Sequence, residues 1–199
     1  MRTIVLSLAI LIAASGFSQD SIPKIIFGFN VGVNYSNIQI KNPDAGIKLN
    51  NGAGFSLGVL MDARLCKHLS FSPKAEIAFN NANITVIKDP DEKEAYLLYP
   101  VSVNCSAHFN YKLCNSKAAP YVLLGPSCKI PLTEDKKTMY ATSQTCFSLD
   151  AGIGLDKKLT YFNIAPELRY SYGLNNLKGI NASGQLYYHQ ITLALVFKG

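Results

Sequence analysis

The chain has no tryptophan, only three methionines, and charged residues at just 16% of its 199 positions. Soluble domains typically carry roughly 25% charged residues, so the surface of this one is poorly supplied with groups that hold water. Its formal charge of +6 is spread along the chain rather than gathered into a run. That excludes a nucleic-acid-binding tract and leaves an attraction to anionic lipid headgroups. No stretch approaches 18 consecutive apolar residues, so no membrane-spanning helix is expected. C-x-x-C and H-E-x-x-H are missing. The reading therefore assigns no catalytic residue, no metal site and no cofactor.

What the chain does have is an apolar N-terminus, many aromatic residues and alternation. Met1 and Arg2 precede the apolar run TIVLSLAILIAA (3–14), and SGFSQD follows. This is the pattern of a secretory signal peptide over residues 1–18, cut after Ser18. About twelve apolar residues fall short of the roughly twenty that a spanning helix needs. Residue 19 is Gln rather than Cys, which argues against a lipid anchor, and residues 19–199 are expected to form one exported domain.

Within that domain, FGFNVGVNYS (27–36) places Phe27, Phe29, Val31, Val33 and Tyr35 on one face and Gly28, Asn30, Gly32, Asn34 and Ser36 on the other. A water-exposed face would normally carry Lys, Glu, Thr or Arg. Small neutral residues instead suit the crowded interior of a narrow closed barrel whose apolar face meets lipid. Alternation and turn chemistry predict eight strands, at about 26–36, 52–64, 69–80, 96–111, 120–130, 144–156, 161–173 and 184–198. The register of the fifth is blurred by Val122, Leu123 and Leu124. Connections around 65–68, 112–119 and 156–159 are short, whereas 37–51, 81–95, 131–143 and 174–183 are long and polar. In outer-membrane barrels the short turns are periplasmic and the long loops face outward.

Aromatic residues fall at both ends of these segments, as interfacial girdles do. Phe27, Phe71, Phe109, Tyr121, Phe162 and Phe197 are expected at the periplasmic interface. Tyr35, Phe55, Phe79, Tyr99, Phe147, Tyr170 and Tyr187 are expected at the outer one. Their spacing along a tilted strand corresponds to an apolar band of roughly 20 to 25 Å.

The stretches FGFNVGVNYSNI, LSFSPKAEIAFN, YLLYPVSVN, PYVLLGPS and YFNIAPELRYSYGLNNL resemble the PorT-like, outer-membrane β-barrel group of small eight-stranded Bacteroidetes proteins. The resemblance implies an all-β, antiparallel up-and-down transmembrane barrel of the OmpA/OmpX-like kind in the bacterial outer membrane. It also implies a non-enzymatic part in secretion or surface assembly. The partners expected are outer-membrane lipid and an envelope or secretion protein reached through the loops. Such barrels commonly end on an aromatic residue, whereas Lys198 and Gly199 follow Phe197 here.

Inward parity collects Lys74, Glu76, His108, Asp150, Glu167 and Arg169. An isolated buried ion is very costly, so these are expected to pair into a network that plugs the lumen. A lipid-modifying enzyme on the barrel wall would draw on His189, Ser171 and Glu167, but His189 has the outward parity and the other two the inward. The five cysteines, at 66, 105, 114, 128 and 146, are an odd number for an oxidising compartment. Cys66 and Cys114 fall in short turns, and Cys105 reads as a small wall residue. Cys128 and Cys146 lie symmetrically about a loop midpoint at 137, which places them near-opposite, either bridged by a disulfide or standing as two small wall residues. A soluble secreted barrel binding an apolar ligand is the alternative of a different class, and it requires the apolar face to point inward.

Overall fold

The computed structural model describes residues 25–41, 47–89, 92–114, 116–132, 144–177 and 185–199. The expected signal peptide and parts of the four long loops lie outside these residues. The strands in chain order are β1 (Ile25–Lys41), β2 (Ile47–Asn50), β3 (Gly52–Arg64), β4 (Leu69–Asn80), β5 (Asn83–Asp89), β6 (Glu92–Leu97), β7 (Val101–Lys112), β8 (Ala118–Pro131), β9 (Cys146–Lys158), β10 (Asn163–Gly173) and β11 (Gln185–Lys198). Eight of them close a barrel in the order β1-β11-β10-β9-β8-β7-β4-β3, every neighbouring pair antiparallel. Closure matters because each strand then spends its backbone donors and acceptors on two neighbours, and no edge is left for lipid or water to satisfy. Strands β2, β5 and β6 form a separate three-stranded sheet from the first two long loops.

The alternation resolves as apolar outward and polar inward. Phe27 is 67% exposed while Asn30, three residues on and of opposite parity, is 1% exposed. Phe29, Val33, Leu57, Val59, Ile153, Leu168 and Leu193 point outward along their strands, and Ser56, Ser72, Ser102, Ser148 and Thr192 point into the lumen. The soluble alternative needed the reverse orientation and is ruled out by this one. Aromatic residues stack across neighbouring strands in the ladder: Phe29 on Phe197 at 4.7 Å, Phe55 on Phe79 at 4.7 Å, and Phe71 against Phe109 at 5.2 Å.

Three sequence expectations are corrected. Tyr121, assigned to the periplasmic girdle, is 2% exposed and points into the lumen. In β8 the odd positions Tyr121, Leu123, Gly125, Ser127 and Lys129 face inward, so Val122 and Leu124 are the lipid-facing residues of its ambiguous run. Tyr99, assigned to the outer girdle, is also 2% exposed. The predicted strand 96–111 breaks at Leu98–Pro100, where Tyr99 adopts φ 50° in the left-handed region, strained for a bulky side chain. This bend turns the ring under the outer end of the barrel, where its hydroxyl donates to the Gln144 carbonyl at 2.7 Å and its edge meets Tyr188. The third correction is the disulfide. All five cysteines are free thiols. The β8–β9 ladder pairs Cys128 with Phe147 and Cys146 with Lys129, one residue away from the symmetric register. That offset sends the two thiols to opposite faces, and Cys146 is buried with Ile38, Leu98, Tyr99, Leu177 and Tyr188 in an apolar cap at the long-loop end.

A second apolar cluster, Leu60, Tyr121, Leu123, Ala165 and Val196, fills part of the lumen. Gly154 makes room for it, since a Cβ there would stand 2.2 Å from the Tyr121 ring. Gly154→Ala is expected to lower the unfolding free energy by about 1–3 kcal/mol through overpacking. Gly32→Ala, whose nearest neighbours lie at 3.2 Å, should cost less. Urea titration of the barrel folded in lipid vesicles ranks the two, and the opposite order would contradict this packing.

The register also brings a different pair of cysteines together. Cys105 of β7 stands directly opposite Cys128 of β8 on the outer face, within the Cα separation that a disulfide bridges. Mild oxidation of the folded barrel, followed by digestion and mass spectrometry, should give a Cys105–Cys128 cross-linked peptide. A Cys128–Cys146 peptide from the same sample would mean that the β8–β9 register is wrong.

Candidate functional site: the charged lumen

The six charged residues of inward parity come from β4, β7, β9 and β10, and the barrel brings them into one cluster. Lys74 on β4 donates to both carboxylate oxygens of Glu167 on β10, at 2.6 and 2.8 Å. Arg169, two residues along the same face, donates through Nη2 to Glu76 at 2.7 Å. The two strands, which face each other across the lumen, therefore exchange a basic and an acidic residue: Lys74 and Glu76 on one, Glu167 and Arg169 on the other. Arg169 also lies 3.8 Å from Asp150 and 3.9 Å from Glu167, near enough to couple electrostatically but too long for hydrogen bonds. His108 Nε2 and Asp150 Oδ2 are 2.8 Å apart. All six residues are at most 5% exposed.

Neutral side chains complete the cluster. Asn30 donates to Glu76 at 2.5 Å, the Tyr121 hydroxyl donates to Glu167 at 2.9 Å, and Ser127 donates to Asp150 at 2.7 Å. Each of the three carboxylates thus accepts from at least one cation or histidine and one neutral donor. That satisfaction is what offsets the desolvation of ions in a lumen of low dielectric. Asn30 could have been added from the sequence by its parity in β1. Tyr121 could not, because the β8 register was ambiguous.

Toward the long loops a second layer follows. Lys129 is buried, bonds Gln190 and sits 4.1 Å from the centre of the Tyr188 ring. Ser36 and Tyr188 share a 2.5 Å hydrogen bond, and Thr192 donates to Asn34 at 3.0 Å. The space left between the two layers, lined by Glu76, Ser106, Ser127, Lys129, Asp150 and Arg169, is about 20 Å³, enough for about one water molecule. At the short-turn mouth, Lys198 bonds Asp62 at 2.6 Å and Lys112 bonds Asp156. These two pairs went unread in the sequence because Lys112 and Asp156 fall in the short connections, and Asp62 and Lys198 lie near strand ends.

The residues weighed for a wall-mounted enzyme stay apart. Glu167 is committed to Lys74 and Tyr121. His189 is wedged against the Tyr170 and Tyr172 rings, with Nδ1 accepting from the Gly173 amide at 3.3 Å. Among the described residues, no group of three His, Cys, Asp or Glu side chains is arranged to hold a metal ion.

If the cluster holds the barrel together, Glu167→Gln should lower the unfolding free energy by about 3–5 kcal/mol, since it strands Lys74 in the lumen. The double variant Lys74→Met with Glu167→Gln should recover part of the loss. Equilibrium unfolding in lipid vesicles reads both, and an unchanged midpoint for Glu167→Gln would show that the pair adds nothing.

No curated protein matches the chain. Among solved structures, the chain is similar to Neisserial surface protein A at 15% identity, over 85% of this chain and 95% of that one, with a TM-score of 0.48. Similarity also extends to OprG of Pseudomonas aeruginosa, at 15% identity over 88% and 94% with a TM-score of 0.47. For Ail, the attachment invasion locus protein of Yersinia pestis, the values are 14%, 89%, 100% and 0.44. The family model for the outer membrane protein beta-barrel domain matches residues 17–179. With a closed eight-stranded barrel, an apolar outer belt and a polar lumen, the chain belongs to the outer membrane protein β-barrel domain family.

Proposed function

We propose that this outer-membrane barrel is non-enzymatic and non-conducting, and that it serves as a membrane-embedded scaffold whose loops engage another envelope protein. The observation that carries this reading is the filled lumen. Its cross-section is occupied by the Lys74–Glu167 and Arg169–Glu76 pairs and, beside them, by Leu60, Tyr121, Leu123 and Val196. An eight-stranded barrel has room for its own side chains or one small ligand, and here side chains take the space. Residues 1–18 serve as the export signal in this reading, since their apolar run is too short to span a membrane.

Ser72, His108 and Asp150 supply the residue types of a hydrolytic triad on inward positions. Yet Ser72 makes no hydrogen bond to His108, and all three are sealed in the lumen at 0–2% exposure. A nucleophile that no substrate can reach does not support an enzyme. What remains for contact with a partner is the long-loop end, where β2, β5 and β6 form a sheet above the barrel and the outer edges of β2 and β6 pair with no other described strand. The resemblance to the PorT-like group adds an accessory part in secretion or surface assembly to this proposal.

Two measurements test it. The purified barrel in a planar bilayer should give conductance near zero, and large, steady single-channel currents would overturn the closed lumen. In fractionated cells the mature chain should stay with the outer membrane and need detergent for release. Recovery as a soluble periplasmic protein would sink the scaffold reading altogether.

A further inference from the structure

The short-turn end of the barrel carries an unusual separation of charge. Its two acids, Asp62 and Asp156, are buried and already paired with Lys198 and Lys112. Its remaining cations, Arg64, Lys67, Lys117, Lys157 and Lys158, are exposed, and among the described residues no exposed acidic side chain accompanies them there. A recess at the mouth gathers Arg64, Lys67, Lys112, Lys158 and Lys198 around one space, together with His68 and the two paired carboxylates of Asp62 and Asp156. The rim therefore carries five exposed cations with no exposed acidic side chain among them, around a recess in which five cations outnumber two carboxylates.

Each turn also exposes an apolar residue beside its cation. Leu65 follows Arg64, Leu113 follows Lys112, and Leu159 follows Lys158, with Tyr161 two residues further on at 92% exposure. A soluble acidic polymer would satisfy the charges but leave three leucines and a tyrosine in water. A bilayer boundary satisfies both at once, the leucines and the tyrosine ring settling at the level of the first acyl carbons and the lysines reaching up to phosphates.

We propose that this rim is a docking surface for anionic phospholipid headgroups of the periplasmic leaflet, with one headgroup phosphate entering the basic recess. The proposal rests on the outer-membrane placement and on the short turns being periplasmic, as in barrels of this type. Anionic headgroups gather at such a rim because each lysine or arginine near a charged surface adds its own attraction, which salt screens within a Debye length. The same contact would hold the barrel at a fixed depth.

The test uses the whole mature barrel, refolded in detergent and mixed with equal amounts of phosphatidylglycerol and phosphatidylethanolamine of the same acyl chains. Native mass spectrometry then counts the lipids retained. Roughly tenfold preference for the anionic lipid is expected, falling toward parity in the triple variant Lys67→Gln, Lys117→Gln, Lys157→Gln and at high salt. Lys48→Gln, an exposed cation on β2 at the other end, should leave the preference intact. Heat-modifiable gel mobility checks that each variant is folded. Equal retention of the two lipids by the unmutated barrel overturns the proposal, as does a preference that survives the triple variant. Displacement of the lipid by a soluble acidic cell-wall fragment would also overturn it, by assigning the rim to that polymer. Fractionation keeps the levels apart: a barrel found in the outer membrane without lipid preference defeats this inference alone.

Discussion

Lys74 and Glu167 meet inside a sheet that has no edge, and much of the molecule is arranged so that they can. A closed eight-stranded barrel must put something in its lumen, and this chain puts ions there. Once it does, every charge needs an opposite charge and every carboxylate needs a further donor, because the lumen offers little water to solvate them. Asn30, Tyr121 and Ser127 are the donors that finish the task. Their positions, Asn30 on β1 and Tyr121 and Ser127 on β8, tie strands that are distant in the sequence, so the cluster acts across the barrel as well as along it.

The lumen is layered along the axis. Pairs Lys198–Asp62 and Lys112–Asp156 line the short-turn mouth. The Leu60–Tyr121–Leu123–Ala165–Val196 cluster and the central ion pairs share the middle of the barrel, with Tyr121 belonging to both. The buried Lys129 and the Ser36–Tyr188 bond lead up to the apolar cap that holds Tyr99, Cys146 and Leu177. A lumen closed in this way leaves the outer faces and the two rims as the surfaces on which this barrel can act. The belt between them is committed to lipid by its exposed Phe, Leu, Val and Ile side chains.

The strand boundaries were legible to within a few residues because both signals used to find them are local. Alternation reports a pleat with one apolar face, and turn residues mark its ends. Facing was legible too: Gly, Asn and Ser on the second face of β1 suit a crowded interior, and that is where they lie. The strands of the first two long loops were not legible, since β2, β5 and β6 are short and have no lipid to impose a strict pattern. Tyr99 was misplaced for a related reason. An aromatic residue near a strand end fits a girdle by position, but the bend at Leu98–Pro100 reverses where it points.

Taken alone, the sequence determined the class of the fold, the number of barrel strands, the lipid-facing side and the inward parity of Lys74, Glu76, His108, Asp150, Glu167 and Arg169, because a period of two links each of these to neighbouring residues. Only the tertiary structure decided which charge meets which, that Tyr121 joins them, and that Cys128 faces Cys105 rather than Cys146. Those outcomes depend on the stagger between strands far apart in the chain. A shift of one residue in that stagger exchanges lumen for lipid along a whole strand, and Val122, Leu123 and Leu124 alone cannot say which of the two registers β8 takes.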